Sequence, residues 1–227
     1  MDSVLASSMI GGICLVVAWD TIRSLRDVWG TWTDPQQSVA LIGYPVGGRT
    51  VWVSSKRTMS QQAAAAETLL WASRYADKLI AFAQAEIDMR RQKQDTRNSE
   101  TQQLAAGVQR LSRRRAGGFR FRELDDNSLN FAETFNKGET ISVCIKGPDD
   151  TYDQAPNRAT VAYIVNHELA HIMCQTYTFD EDGRTIHTDE FKMYNRFLND
   201  ISKTRLGMDM NQVGSIHCSM IVPDLSA

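Results

Sequence analysis

The pattern His167-Glu168-Leu169-Ala170-His171 constrains this chain more than any other feature, because two imidazoles four residues apart share one face of a helix. Asn157 can cap a helix that runs through the pattern, and apolar residues continue at helical spacing on both sides of it. Positions four apart lie about 6 Å from each other along the axis, which suits zinc–nitrogen distances of roughly 2.0–2.1 Å. The sequence therefore predicts a metal-binding helix with His167 and His171 as ligands.

Glu168 lies beside these ligands and is predicted to be a general acid/base rather than a ligand. It can accept a proton from zinc-bound water and later deliver it to a leaving amine. A catalytic zinc also needs a third protein ligand and an open position. His187 is the favoured third ligand, because a polar turn separates it from His171 and a helix capped by Thr188 follows it directly.

Four other residues remain alternatives to His187 as the third ligand. Cys174 shares the helix face but lies about 10 Å along the axis from His167, which is far for one site. His217 lies in a strand-like run in which a structural role is expected. Glu181 or Glu190 would give a site of two histidines and one carboxylate.

The first part of the chain contains a run of 17 uncharged positions, Ser3–Trp19, which is near the lower limit for a membrane-spanning helix. Arg23 and Arg26 follow the run, so the positive-inside rule places the rest of the chain on the cytoplasmic side. We expect residues 1–35 to be a single-pass membrane anchor, with a buried or interfacial helix and a signal peptide as alternatives. Without a span, the protein would be cytoplasmic or part of a virion.

The rest of the chain mixes strand and helix signals, which predicts an α+β fold. Two β-rich runs around Pro45-Val46-Gly47-Gly48 predict a β-hairpin within residues 36–57, as a connector between anchor and body. A capping box at Thr58 begins a helix to about Arg91, and a second helix starts with Ser99 as cap and ends at Gly117-Gly118. Alternating residues over Glu139–Lys146 predict a half-buried strand.

Charge and cysteine content exclude several classes of protein. The 25 Lys+Arg and 27 Asp+Glu give a formal net charge of −2, which argues against a dedicated nucleic-acid coat protein. The four cysteines are scattered without a C-x-x-C pair, which argues against a disulfide-dense scaffold or a zinc ribbon and favours a reducing compartment.

One basic cluster stands out in the chain. It predicts either a phosphate contact, with nucleic acid or anionic lipid, or a solvated helix end whose cations favour the helix dipole. Its members are Arg110, Arg113, Arg114, Arg115, Arg120 and Arg122.

Three segments, NKGETISVCIK, NRATVAYIVNHELAHIM and HTDEF, occur in the order found in the WLM and SprT-like zinc metallopeptidases. From about Leu104 to Val222 the chain resembles that family, most closely the compact WLM-like proteins of large DNA viruses. The resemblance implies a minimal, zincin-like α+β protease domain over residues 58–227. It also implies that Zn²⁺ is held by His167, His171 and His187, with Glu168 as catalytic acid/base. Relatives in cells cleave proteins crosslinked to DNA.

The chain departs from the family's pattern in two places. A longer loop precedes the third histidine, which follows Ile186 instead of a glycine, and the Tyr-Cys-Gly element of the viral type is His217-Cys218-Ser219. No motif for binding ubiquitin-like modifiers is present, so the resemblance does not carry over the DNA-repair role.

These features together predict zinc-dependent hydrolysis of peptide bonds in a protein or peptide substrate. The strand Glu139–Lys146 is predicted to lie at a sheet edge and to pair with an extended substrate, with Ser142 and Cys144 in contact with it. Tyr177 and Tyr194 are candidate oxyanion donors, with aromatic core packing as the alternative. The rival hypothesis is a membrane-anchored binding or structural protein with a non-catalytic zinc site, which contacts DNA or anionic lipid through the arginine cluster.

Overall fold

The computed structural model describes residues 41–46, 48–93, 98–124, 132–135, 138–146, 155–175, 187–209, 216–218 and 220–221. In this part of the chain it has four helices, a five-stranded mixed sheet and a two-stranded hairpin, so the predicted α+β class is confirmed. The strands are β1 Leu41–Val46, β2 Arg49–Ser54, β3 Arg120–Glu123, β4 Ala132–Phe135, β5 Thr140–Val143, β6 Ile216–His217 and β7 Met220–Ile221. The helices are α1 Met59–Gln92, α2 Ser99–Ala116, α3 Arg158–Met173 and α4 Asp189–Leu206.

The sheet has the strand order β1-β2-β3-β5-β4. Strands β2, β3 and β5 run parallel, whereas β1 and β4 pair antiparallel at the two ends. The prediction that the strand within Glu139–Lys146 lies at the edge is therefore wrong, because the short strands β3 and β4 flank it on both sides. The edge next to it in the described part of the chain is β4.

The predicted hairpin forms as β1 and β2, but it is not a separate connector. Trp52 of β2 pairs with Arg122 of β3, and Val51 and Val53 are almost completely buried in the main core. The hairpin belongs to the same sheet as the body because its apolar alternation gives it one face to bury against α1.

The helices begin and end near the predicted residues. Thr58 forms the capping box of α1 with Gln61, and Gly207 ends α4 with a left-handed φ of 66°. The cap of α2 is Asn98 rather than Ser99, because the Asn98 side chain accepts hydrogen bonds from the backbone N–H groups of Glu100 and Thr101. Asn157 and Thr188 cap α3 and α4 as predicted.

Helix α3 lies at the centre of the molecule, packed against the other three helices and against β4 and β5. Every residue of α3 except Arg158 and His171 is buried. A helix that is buried on nearly all sides is typical of the core of a protein. The histidine pattern is therefore held on the most constrained element of the fold.

Cys144 and Cys218 form a disulfide between residues 74 apart in sequence, which ties the β6–β7 hairpin to the residue after β5. The expectation of reduced cysteines is wrong for this pair, whereas Cys174 is a free and buried thiol. The single predicted strand around His217 is instead this two-stranded hairpin.

The predicted anchor at residues 3–19 lies outside the described residues. Within the described part of the chain, every helix is too short or too polar to be a candidate membrane span.

Candidate metal centre

The structure brings His167, His171 and His187 together, so that one ring nitrogen from each lies within 4.8 Å of the other two. His167 and His171 lie one turn apart on α3, with 3.2 Å between their Nε2 atoms. His187 precedes Thr188, the cap of α4, and this position brings its ring to 4.7 Å from that of His167 between centroids. In the described part of the chain this is the only cluster of three or more histidine, cysteine or acidic side chains with metal-ligand spacing.

The aromatic ring of Phe191 packs against the three imidazoles and forms an apolar wall beside them. Its ring stacks on His187 at a centroid distance of 4.3 Å and an interplanar angle of 16°. The same ring lies 4.4 Å from the ring of His171 and 4.9 Å from that of His167. Phe191 has this position because the Thr188 cap fixes the first turn of α4, where the Thr188 side chain accepts the Phe191 N–H. The apolar wall excludes water from one side of the imidazoles and restricts their orientation.

The surroundings of the three histidines lower their pKa values, so the imidazoles are neutral at neutral pH. Burial lowers the pKa of His171 from 6.5 to about 4, and His187 beside it adds to the effect. Burial first, and then the neighbouring histidines, holds the pKa of His167 well below its usual value. The pKa of His187 is also lowered, chiefly by burial. Neutral imidazoles offer a free lone pair, which a metal ligand requires.

Glu168 is buried beside this cluster, and its carboxylate Oε2 accepts a hydrogen bond of 2.5 Å from the Thr134 hydroxyl on β4. Burial raises the pKa of Glu168 to about 7, although the bond from Thr134 lowers it and the charge of Glu133 raises it further. A carboxyl group with a pKa near neutrality can both accept and release a proton there. Sequence reasoning missed Thr134, because β4 is only four residues long and carries no distinctive pattern.

Three residues predicted to contact substrate make other contacts in the structure. The Ser142 side chain is completely buried, and its Oγ accepts a hydrogen bond from Arg122 Nε at 2.6 Å. Cys144 is bonded to Cys218. The Tyr194 hydroxyl is buried between two partners, donating to the carbonyl of Gln103 and accepting from Arg110. The strand prediction failed because two further strands enclose β5.

The alternative third ligands are not part of the histidine cluster in the described chain. Cys174 is buried, and burial raises the pKa of its thiol to about 12. Glu190 contacts Arg110, with 3.5 Å between its Oε1 and the Nη2 of Arg110. Glu181, Tyr177 and the side chain of His217 lie outside the described part of the structure.

The arginine cluster predicted from the sequence does not form one surface. Arg110 donates from Nε to the Met173 carbonyl at the end of α3, and Arg122 is buried in the sheet. Arg120 pairs with Glu139 at 3.6 Å. Only the consecutive residues Arg113, Arg114 and Arg115 are exposed together at the end of α2.

A buried polar network fixes α3 against α1 and α4. The Tyr75 hydroxyl donates to Asn166 Oδ1 at 2.8 Å and lies 2.5 Å from the Ser202 hydroxyl. The Asn166 amide also donates to Asn199 Oδ1 at 2.7 Å. Since Asn166 directly precedes His167, the network sets the relative positions of the two helices that bring the histidines together.

The chain matches no family model, no curated protein and no solved structure. Its resemblance to the WLM and SprT-like metallopeptidases therefore rests on the order of the quoted motifs. The histidine cluster and Glu168 belong to those motifs, whereas Thr134 and Tyr75 do not.

Proposed function

We propose that the chain is a zinc-dependent endopeptidase. The observation that carries this proposal is the convergence of His167, His171 and His187 next to the buried carboxyl group of Glu168. Three neutral imidazoles are a donor set that zinc prefers, and three protein ligands leave a position open for water or substrate. The residues present therefore fit a catalytic zinc, and this fit also supports the zincin-like interpretation of the domain.

His167, His171 and His187 would hold the zinc ion, which would supply a Lewis acid and make water at the site easier to deprotonate. Glu168 accepts the proton of the attacking water and then delivers it to the leaving amine. Thr134 holds one carboxylate oxygen of Glu168, so the other oxygen is left for the proton transfer. The pKa of Glu168 near 7 suits this double role at neutral pH.

The substrate is placed along β4 in this proposal. This strand ends the five-stranded sheet in the described part of the chain, so one side of its backbone is open for pairing. An extended peptide can add to such an edge through main-chain hydrogen bonds. Thr134 lies on β4 and contacts Glu168, so a peptide paired with this strand runs next to the proposed catalytic carboxyl group.

The test is hydrolysis of an unfolded protein such as casein by the full-length chain, with and without Glu168→Gln. We expect the variant to lose at least 100-fold in rate while it keeps its zinc, because only the proton acceptor is removed. Glu67→Gln on α1 is the matched control and is expected to keep full activity.

Equal activity of Glu168→Gln and wild type would contradict the assignment of the general base. Bound zinc without hydrolysis by the wild-type chain would favour the rival function, a binding or structural protein with a non-catalytic zinc site.

A further inference from the structure

A cavity of about 290 Å³ opens between the β1–β2 hairpin, α1 and the end of α2, and shares no residue with the histidine cluster. Its floor is apolar and its rim is polar. Val51, Phe119 and Phe121 form the floor, and Arg49, Ser73, Asp77 and Arg115 lie at the rim. The volume is near the lower limit for small-molecule sites, which are concave with a few polar groups above an apolar lining.

Two guanidinium groups from different elements meet at this rim. Arg49 of β2 pairs with Asp77 and donates from Nη1 to the Ser73 hydroxyl. Arg115 of α2 donates from Nε to the other oxygen of Asp77 at 3.1 Å. The side chains of Arg49 and Arg115 are still 42% and 41% exposed. Each guanidinium has five N–H donors, so most of them are not used by Asp77 and Ser73.

The charge around the cavity is positive, although the whole chain is slightly acidic. Two arginines against one aspartate leave the rim itself with one positive charge. The rim is therefore a place where an anion gains electrostatic energy.

A second cavity in the described part of the chain has a different balance of charge. The second one, about 450 Å³, lies between α1, α2 and α4 and has as many acidic as basic residues in its lining. These are Arg90, Lys192 and Arg196 against Glu100, Asp189 and Asp200. The second cavity is larger, but its balanced charge gives an anion no preference for it.

We propose that the Arg49–Arg115 cavity is a binding site for a phosphate monoester. The forked donors of arginine match the oxygens of a phosphate group, and a dianion gains more from this positive rim than a carboxylate does. Asp77 holds the two like-charged guanidinium groups next to each other before the ligand arrives. Phe119, the partly exposed apolar side chain of the lining, contacts the apolar group that is esterified to the phosphate, above the buried Val51 and Phe121.

The experiment is an NMR or calorimetric titration of the full-length protein with inorganic phosphate and with phenyl phosphate. We expect saturable binding in the millimolar range or tighter, with phenyl phosphate several-fold tighter because its ring buries apolar surface against the cavity floor. Arg49→Gln and Arg115→Gln are each expected to weaken binding of both probes at least tenfold. Arg115→Lys keeps the charge without the fork and is expected to weaken binding by a smaller factor.

Arg205→Gln is the matched control. Like Arg115, Arg205 shares a carboxylate with a second arginine, because both Arg205 and Arg90 pair with Glu86. Arg205 itself lines neither of the two cavities. Binding that falls equally in Arg205→Gln and Arg115→Gln would show attraction by overall charge and would overturn the proposal. No saturable binding of either probe by the wild-type protein would overturn it too. If phosphate binds but the phenyl ring adds nothing, the site takes free phosphate and the monoester assignment is wrong.

Discussion

The Tyr75 hydroxyl is the centre of the polar network that joins α1, α3 and α4, and its removal by Tyr75→Phe is the most direct test of how the fold is held together. The hydroxyl donates to Asn166 Oδ1, so the bond to Ser202 is donated by the serine. Tyr75 is 4% exposed, and Asn166 and Ser202 are completely buried. Water therefore cannot reach these side chains to replace the lost hydroxyl group.

The loss of stability caused by Tyr75→Phe can be estimated from the two side chains that lose a hydrogen bond. A hydrogen bond contributes about 1 kcal/mol net, whereas removing one partner so that a buried polar group is left unpaired costs about 1–3 kcal/mol. Tyr75→Phe removes one bond from Asn166 and one from Ser202, whereas Asn166 keeps its bond to Asn199. We expect the free energy of unfolding to fall by about 2–4 kcal/mol.

The assay is equilibrium unfolding in urea, with Tyr44→Phe as the matched control. The Tyr44 hydroxyl donates to Gln62 at 2.7 Å, but Tyr44 is only half-buried. Water can then replace the group, and we expect a loss below about 1 kcal/mol. If Tyr75→Phe costs no more than Tyr44→Phe, the network does not stabilise the packing of these helices as described.

The packing of Gly138 against Ile172, the Thr134 hydroxyl and the titration of His171 can each be tested. Gly138→Ala places a Cβ 2.5 Å from Ile172 Cδ1 at a φ of +97°, and we expect a loss of about 2–4 kcal/mol in unfolding experiments, partly restored by Ile172→Val. Thr134→Val removes the hydrogen bond to Glu168 and is expected to lower the rate of casein hydrolysis about tenfold without loss of zinc. Thr134→Ser keeps the hydroxyl group and is expected to keep most of the rate. Unchanged activity in Thr134→Val would exclude a role for this hydrogen bond. In chelator-treated protein, the folded-state pKa of His171, near 4, lies below its ordinary 6.5, so the stability it contributes is lost as the pH falls below 6.5. In urea unfolding, the loss between pH 7 and pH 5 should be about 2 kcal/mol larger in the wild-type protein than in His171→Gln, which keeps His167 and His187 with their lowered pKa values.

The parts of the fold that were predictable from the sequence are those with local signals. The capping box of α1 and the glycine end of α4 depend on residues within one turn, and so does the spacing of His167 and His171. The convergence of His187 on this pair was predictable from the helix start directly after it, since the Thr188 cap fixes the first turn of α4.

The parts that were missed depend on contacts between distant residues. Strands β3 and β4 have four residues each, too few for a clear alternation, and their pairing with β5 decides which strand is the edge. The bond between Thr134 and Glu168 joins residues 34 apart, and the disulfide joins residues 74 apart. No local pattern encodes such pairs, so the structure was needed to place them.

Metal analysis of the full-length protein tests the central claim most directly. We expect about one zinc per chain in the wild-type protein, strongly reduced in His187→Ala and unchanged in His217→Ala, the matched histidine control. Folded wild-type protein without zinc, or zinc that is retained fully in His187→Ala, would contradict the three-histidine site.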